Sequence, residues 1–182
     1  LCLCAYLAPD DIPLPELRAG LAQLGDGPLA PLLDELELDR CLAALRRYSL
    51  VKLGNASLSL HRLVQLVTRD RLPPAERATW AELALRLVEA VFPRSGLAGD
   101  VRPESARLLP HSLAALAHVE GLPKCDERAA QLLSRTGIYM SATGVHSRAI
   151  ELLTRALHIF DRHPEFGDRE RAAMLGNVAV VQ

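Results

Sequence analysis

The sequence lacks the features that direct a chain to a membrane or to a polyanion. Lys and Arg number 21 against 22 Asp and Glu, and the resulting net charge of −1 exerts no long-range attraction on phosphate backbones or anionic lipid. No apolar run approaches the roughly 20 residues that span a bilayer, and no signal peptide is recognisable. We therefore expect a cytoplasmic protein with no membrane segment, in which any nucleic-acid site would have to be local.

Cysteine and aromatic residues are scarce. The four cysteines include no CxxC pair, and Cys41 and Cys125 have no histidine partner at the spacing of a zinc site. Cys2 and Cys4 are too close together in a helical start to form a comfortable disulfide. We expect reduced, buried thiols and no metal site. Aromatic residues make up only 4% of the chain, and we expect Trp80 to pack in a helical core.

A phosphate-binding loop is also absent. The sequence contains no GxxxxGK[ST] motif, so another domain would have to hold the phosphates of a nucleotide. We therefore predict that this chain alone is not an enzyme and that it holds no cofactor of its own.

Residues 1–71 combine helical spacing with one hairpin signal. Leucines recur at helical spacing in two segments, one with Leu17, Leu21 and Leu24 and one with Leu38, Leu42 and Leu45. Gly54-Asn55 lies between two apolar runs and is a β-hairpin signal, and the pattern becomes helical again after His61. A helical core followed by a two-stranded hairpin predicts a winged-helix domain.

Residues 72–124 have helical periodicity throughout, which predicts an α-helical spacer. The stripe of the first predicted helix consists of Trp80, Leu83, Leu87 and Val91. A second helix is predicted over residues 104–120, with Pro110 expected to kink or split it.

Residues 125–182 contain an internal repeat. Leu133, Thr136 and Gly137 are matched 42 residues later by Leu175, Val178 and Ala179. The first unit reads as a helix, a turn at Gly144, and a second helix. Small residues on both helices permit close approach, as stacked helical hairpins require. The repeat-defining residues are Leu133, Gly137, Gly144, Ala149, Leu153, Ala156, Val178 and Ala179.

This pattern resembles a tetratricopeptide repeat of the longer, kinesin-light-chain-like kind. Met140 and His146 depart from it, since they stand where the pattern often has tyrosine. One complete and one truncated repeat are predicted, and together they would form part of an α-solenoid whose inner face binds a protein or peptide. Leu175, Val178 and Val181 are predicted to be uncovered at the end of the chain.

Nearly the whole chain resembles the region that follows the nucleotide-binding core in bacterial NB-ARC or STAND-type signalling ATPases. The similar stretches are "LCLCAYLAPDDIPL", "LRRYSLVKL" and "LSLHRLVQLVTRDRLP". The resemblance implies an upstream NB-ARC domain as a partner, ADP or ATP held in that domain, and oligomerisation on activation. The chain begins with Leu1 rather than Met and stops within a helical pattern, so we expect it to be part of a longer protein.

His61 stands at the junction between the hairpin and the next helix, where an aliphatic residue is usual if the position is buried. By resemblance, Leu60-His61-Arg62 occupies the place of the family's Met-His-Asp motif, with Arg62 replacing the aspartate. The family's histidine reaches the β-phosphate of ADP, so His61 is predicted to be an ADP phosphate sensor. Imidazole suits that role because it can donate a hydrogen bond to a phosphate oxygen. The alternative role is structural, with His61 bonded to a backbone carbonyl.

Two other functions remain open. The chain could be a tetratricopeptide-repeat docking scaffold with no nucleotide role, or a winged-helix transcription regulator. DNA binding is disfavoured because the presumed recognition helix starts with four carboxylates between Asp34 and Asp39, while Arg46 and Arg47 lie at its far end. The remaining histidines lack the carboxylate or cysteine partners of a metal site and are predicted to lie at the surface. They include His111, His118, His158 and His163.

Overall fold

The protein is mainly α-helical with one small sheet. The computed structural model describes residues 1–24, 29–31, 34–94 and 103–166, together with Ala172, Leu175, Gly176, Val178 and Ala179. The helices in this part of the chain are α1 (Leu14–Leu24), α2 (Glu35–Arg47), α3 (Arg62–Arg71), α4 (Pro74–Val91), α5 (Pro103–Val119), α6 (Asp126–Ala142) and α7 (His146–Arg162). The strands are β1 (Ile12–Pro13), β2 (Lys52–Leu53) and β3 (Ser57–Ser59). The predicted mainly α fold class is therefore confirmed.

The hairpin expected around Gly54-Asn55 is present, as strands β2 and β3. Gly54 N–H donates to the Ser57 carbonyl at 2.8 Å, and the residue in the left-handed conformation is Ala56, with φ 61°. The hairpin loop therefore has three residues rather than two, a common alternative. Strand β1, which we did not predict, pairs antiparallel with β3, and the sheet order is β1-β3-β2.

A short 3₁₀ turn, Leu3–Tyr6, precedes β1. Its residues are buried, and they pack against α3, α4 and α5. Helix α1 packs against α4 at Gly20, where a Cβ atom would lie 2.8 Å from Leu87 Cγ. The close approach of these two helices joins the first seventy residues to the helices that follow.

Helix α5 continues through Pro110 and is not split, contrary to one of the two expected outcomes. Pro110 is exposed, and the buried face is formed by Leu108, Ala115, Leu116 and Val119. Helix α4 is tied to α6 by a buried carboxylate. Glu89 Oε1 accepts from Arg135 Nη2 at 2.7 Å, and Glu89 Oε2 accepts from Arg128 Nη1 at 3.2 Å.

Helices α6 and α7 form the predicted helical hairpin around Gly144. Gly144 has φ 84°, and Val145 N–H donates to the Met140 carbonyl at 2.8 Å, which closes the end of α6. A Cβ atom on Gly137 would lie 2.8 Å from Leu153 Cγ, so the two helices approach closely at this glycine. The small and aliphatic residues predicted for the contact, Leu133, Ala149, Leu153 and Ala156, are all buried.

Two of the residues predicted to be uncovered near the end of the chain are described by the structure. Leu175 is 49% exposed, whereas Val178 is partly buried against the core, so its predicted full exposure is wrong. Val181 lies outside the described residues.

All four cysteines are free thiols, but they are not all buried. Cys4 and Cys125 are buried and Cys2 is half-buried, whereas Cys41 is exposed because it lies one residue before the inward-facing Leu42. Among the described residues, no helix combines the length and the apolar character that crossing a membrane requires.

Candidate functional site

His61 lies at the surface, directly after a buried residue. Leu60 is buried, and its N–H donates to the Pro9 carbonyl at 2.7 Å, which holds the end of β3 against the start of the chain. Ser59 Oγ accepts from the Asp11 N–H at 3.1 Å and adds a second tie. His61 itself is exposed. The expectation of a buried junction is therefore right for Leu60 and wrong for His61.

His61 is the N-cap residue of α3. Its Nδ1 accepts a hydrogen bond from the Leu63 N–H at 3.2 Å, while its carbonyl accepts from the Val64 N–H at 2.8 Å. An N-cap side chain satisfies one of the backbone donors that a helix start leaves free. The structural alternative is thus modified, because the imidazole caps a backbone N–H rather than a carbonyl.

This cap also determines which ring nitrogen can donate. A neutral imidazole has one N–H, and Nδ1 must be unprotonated to accept from Leu63. The proton is then on Nε2. Within the described part of the chain, Nε2 has no hydrogen-bond partner, so it is an outward-facing donor.

An open cleft of about 520 Å³ lies beside His61. Its lining residues include Arg46 at the end of α2, Lys52 on β2 and His61, together with the acidic Asp10. Arg46, Lys52 and Asp10 are exposed and form no ion pair with any described residue. The cleft therefore carries an excess of unpaired positive charge in a protein whose net charge is −1.

A left-handed residue turns the chain from α2 into the cleft. Ser49 has φ 56°, and the Leu50 N–H donates to the Leu45 carbonyl at 3.0 Å. Many helices end with this hydrogen bond, and the left-handed residue is then usually a glycine. A non-glycine residue in this conformation is unusual. The turn brings Arg46 and Lys52 to the same cleft, although they lie on different elements.

The apolar residues of α3 face outward. Leu63, Leu66 and Val67 are 61%, 46% and 49% exposed. The inward face is polar, because Gln65 Nε2 donates to the carbonyls of Cys4 and Leu7, each at 2.9 Å. Arg69 donates to the carbonyl of Ala5 in the same 3₁₀ turn. Polar side chains of α3 thus bond to carbonyls that the short turn leaves free. The apolar stripe of α3 is therefore exposed, and it lies next to His61.

The prediction that His111, His118, His158 and His163 lie at the surface is wrong for His111. This side chain is only 2% exposed, and Nε2 lies 3.3 Å from the Asp11 carbonyl. Burial lowers the pKa of His111, and it also lowers the pKa of His118, which is half-buried with its ring edge against Tyr6. His158 is exposed, as predicted.

His163 joins the two ends of the α6–α7 hairpin. Its Nδ1 lies 2.8 Å from Glu165 Oε1, and its Nε2 lies 2.8 Å from Asp126 Oδ2. The hydrogen bond to Glu165 and then that to Asp126 raise the pKa of His163, because both favour the doubly protonated ring. Its ring stacks on Phe166 at 4.6 Å between centroids. These contacts make His163 a pH-dependent tie between α6 and the end of α7.

A second surface cavity lies where the predicted repeat begins. It measures about 450 Å³ and is lined by residues of α5, α6 and α7. Its lining includes the apolar Leu116, Leu133 and Ile159. It also includes two ion pairs, Arg155 with Glu120 at 3.5 Å and Arg162 with Asp126 at 3.3 Å. Of the other predicted repeat-defining residues, Val178 and Ala179 are helical and lie beyond α7.

Sequence reasoning identified His61 but did not associate Arg46 and Lys52 with it. Arg46 entered the sequence analysis only in weighing DNA binding. Their convergence on His61 depends on the turn at Ser49 and on hairpin pairing, in which Lys52 is opposite Ser59. Ser49 and Lys52, three positions apart in "YSLVKL", carried no separate signal for that turn.

Comparisons with models of known protein families, with curated proteins and with solved structures found no match.

Proposed function

We propose that this chain is the regulatory segment of a STAND or NB-ARC-type signalling ATPase, and that His61 contacts the β-phosphate of ADP held in an upstream nucleotide-binding domain. The observation that carries the proposal is the N-cap geometry of His61. Because Nδ1 accepts from the Leu63 N–H, the proton of the neutral ring is on Nε2, which faces outward. A phosphate oxygen of a neighbouring domain could accept a hydrogen bond from this Nε2–H.

The surroundings of His61 support a surface that another domain covers. The apolar stripe of Leu63, Leu66 and Val67 begins two residues after His61 and is exposed. A neighbouring domain that brought its nucleotide to His61 would also bury this stripe, and burying such a stripe contributes favourable free energy. Regulation then consists of two states, one with this surface docked and ADP retained, the other with it released.

The order of elements supports the winged-helix part of the proposal. The 3₁₀ turn, β1, α1, α2, the β2–β3 hairpin and α3 follow one another as the turn-and-helix core and wing of such a module would. The α6–α7 hairpin, closed at Gly137 and turned at Gly144, supports a tetratricopeptide repeat. In this proposal the repeats bind the signal, and its binding moves the winged helix away from ADP.

The test is ADP release from the complete protein that contains this chain. His61→Ala removes both the cap and the phosphate donor, whereas His61→Ser keeps a capping oxygen but is too short to reach a phosphate. Both variants are expected to release ADP faster than the unmodified protein. Unchanged release from His61→Ser would contradict the phosphate role and leave His61 as a helix cap.

A second candidate function is docking of a protein partner by the repeats without a nucleotide role. The cavity between α5, α6 and α7 favours it, since an apolar lining flanked by the Arg155–Glu120 and Arg162–Asp126 pairs suits a peptide with apolar and charged side chains. Arg155→Glu, in this cavity, would then abolish partner capture. Arg148→Glu is the control, because Arg148 is on the same helix, pairs with Glu151 and does not line the cavity.

The arrangement of α2 speaks against the third function, DNA binding. Asp34 caps the helix at the Leu36 N–H, and Asp39 pairs with Arg18 at 2.6 Å. These carboxylates occupy the helix start that would have to enter the major groove. We therefore do not propose a transcription regulator.

A further inference from the structure

We infer that the cleft beside His61 is a phosphate-binding site to which Arg46 and Lys52 each contribute, and that its ligand is the diphosphate end of a nucleotide. This inference deepens the proposed function and rests on it for the source of the phosphate. It assigns to Arg46 and Lys52 a role that neither residue type nor spacing indicated.

Three residues with nitrogen donors, Arg46, Lys52 and His61, line one open cavity of about 520 Å³, and the acidic Asp10 lines it as well. Some exposed cations in this protein pair with acidic neighbours, as in Arg40–Glu37 and Arg148–Glu151, whereas others, such as Arg47, form no ion pair with a described residue. Arg46 and Lys52 have no such partner among the described residues.

The ligand class follows from the donors. A guanidinium offers a planar fork of N–H groups that matches two oxygens of a phosphate, and an ammonium offers a point charge. The imidazole adds the Nε2–H that the cap on α3 leaves free. The start of α3 also lies at the cleft, so its dipole favours an anion there. A diphosphate carries several charged oxygens close together, which suits a cleft lined by several such donors.

A simpler reason for a basic residue at Arg46 is the negative end of the α2 dipole. Arg47 separates the two explanations. It occupies the same last turn of α2 and is also exposed, but it does not line the cleft. If helix-end charge alone attracts the anion, substitution of Arg46 and substitution of Arg47 must weaken anion binding alike. If the cleft is the site, only substitution of Arg46 weakens it.

The experiment titrates the 182-residue chain with inorganic pyrophosphate and follows backbone amide shifts by NMR. We expect saturable shifts at Leu50, Val51, Lys52 and His61. Arg46→Gln and Lys52→Gln should each weaken binding by about threefold or more, in the range of an exposed ion pair or stronger. Asp10→Asn should tighten binding, and Arg47→Gln should leave it unchanged. Added salt should weaken it throughout.

Several results would overturn the inference. The first is the absence of saturable shifts in the unmodified chain, and the second is an equal loss of binding in Arg47→Gln and Arg46→Gln. Citrate binding as tightly as pyrophosphate would replace the phosphate assignment by an acidic partner.

ADP release from the complete protein identifies the source of the phosphate. Arg46→Gln should accelerate it, as His61→Ser does under the proposed function. If only His61→Ser accelerates release, the proposed function stands and the inference fails. If pyrophosphate binding depends on Arg46 but neither variant alters ADP release, the cleft binds another phosphate and both nucleotide assignments fail.

Discussion

Replacement of Arg135 by alanine should destabilise the protein by about 3 kcal/mol, because it leaves the Glu89 carboxylate buried with a weaker partner. The Glu89 side chain is 6% exposed and lies 2.7 Å from Arg135, which also donates to the Glu89 carbonyl. Removing one member of a buried pair costs about 3–5 kcal/mol. The lower end applies because Arg128 still lies 3.2 Å from Glu89.

The same geometry predicts a strong asymmetry between the two arginines. The Arg128 side chain is 51% exposed, so Arg128→Ala should cost less than about 1 kcal/mol. Urea unfolding measures both free energies, and the Arg135→Ala loss corresponds to a melting temperature lower by roughly 6–12 °C in a protein of this size. Replacing Glu89 and Arg135 together by leucine should recover most of the loss. Equal costs for the two arginine variants would refute the assignment of Arg135 as the main partner.

Three further predictions concern other parts of the molecule. Gly137→Val should destabilise by about 2 kcal/mol or more in urea unfolding, because its side chain would overlap Leu153, whereas Gly176→Val, with open space around it, should cost less than that. His61→Ala should cost about 1 kcal/mol through loss of the cap while His61→Ser costs little, and equal losses would show that the cap is unimportant. The raised pKa of His163 adds stability that is full below the ordinary histidine value and is lost as the pH rises through the raised value. The difference in free energy of unfolding between the unmodified protein and His163→Gln should therefore narrow above neutral pH. A difference that does not change with pH would contradict the role of the protonated His163 in joining α6 to the end of α7.

His111 and His118 give stability the opposite pH dependence from that of His163. Burial lowers the pKa of both histidines. As the pH falls below the ordinary histidine value, the unfolded chain therefore binds protons at these residues that the folded chain does not bind. Acidification therefore weakens these sites while it preserves the His163 contacts.

Helix positions were predictable because apolar spacing is a local property of the chain. The bounds of α6 and α7 and the turn at Gly144 follow from such spacing and from one glycine. Strand β1 was missed because two residues, one of them a proline, carry no alternation, and Ile12 pairs with Leu58 far along the chain. Burial of His111 likewise depends on a contact with Asp11, 100 residues away.

The candidate site was predictable in one residue and not in its surroundings. His61 was recognised from its junction and from the resemblance. The sequence did not indicate which face of α3 is buried. Gln65 and Arg69 point inward because the carbonyls of a 3₁₀ turn some sixty residues earlier accept their hydrogen bonds. Apolar spacing alone identifies a helix but does not identify which partner, within the chain or outside it, covers the stripe.

The most direct test of the account is the rate of ADP release from the complete protein, with bound nucleotide identified by chromatography. The account predicts that the unmodified protein carries ADP and that His61→Ser releases it faster, while Arg47→Gln releases it at the unmodified rate. A protein that carries no nucleotide, or one whose ADP release is the same in His61→Ser, would contradict it.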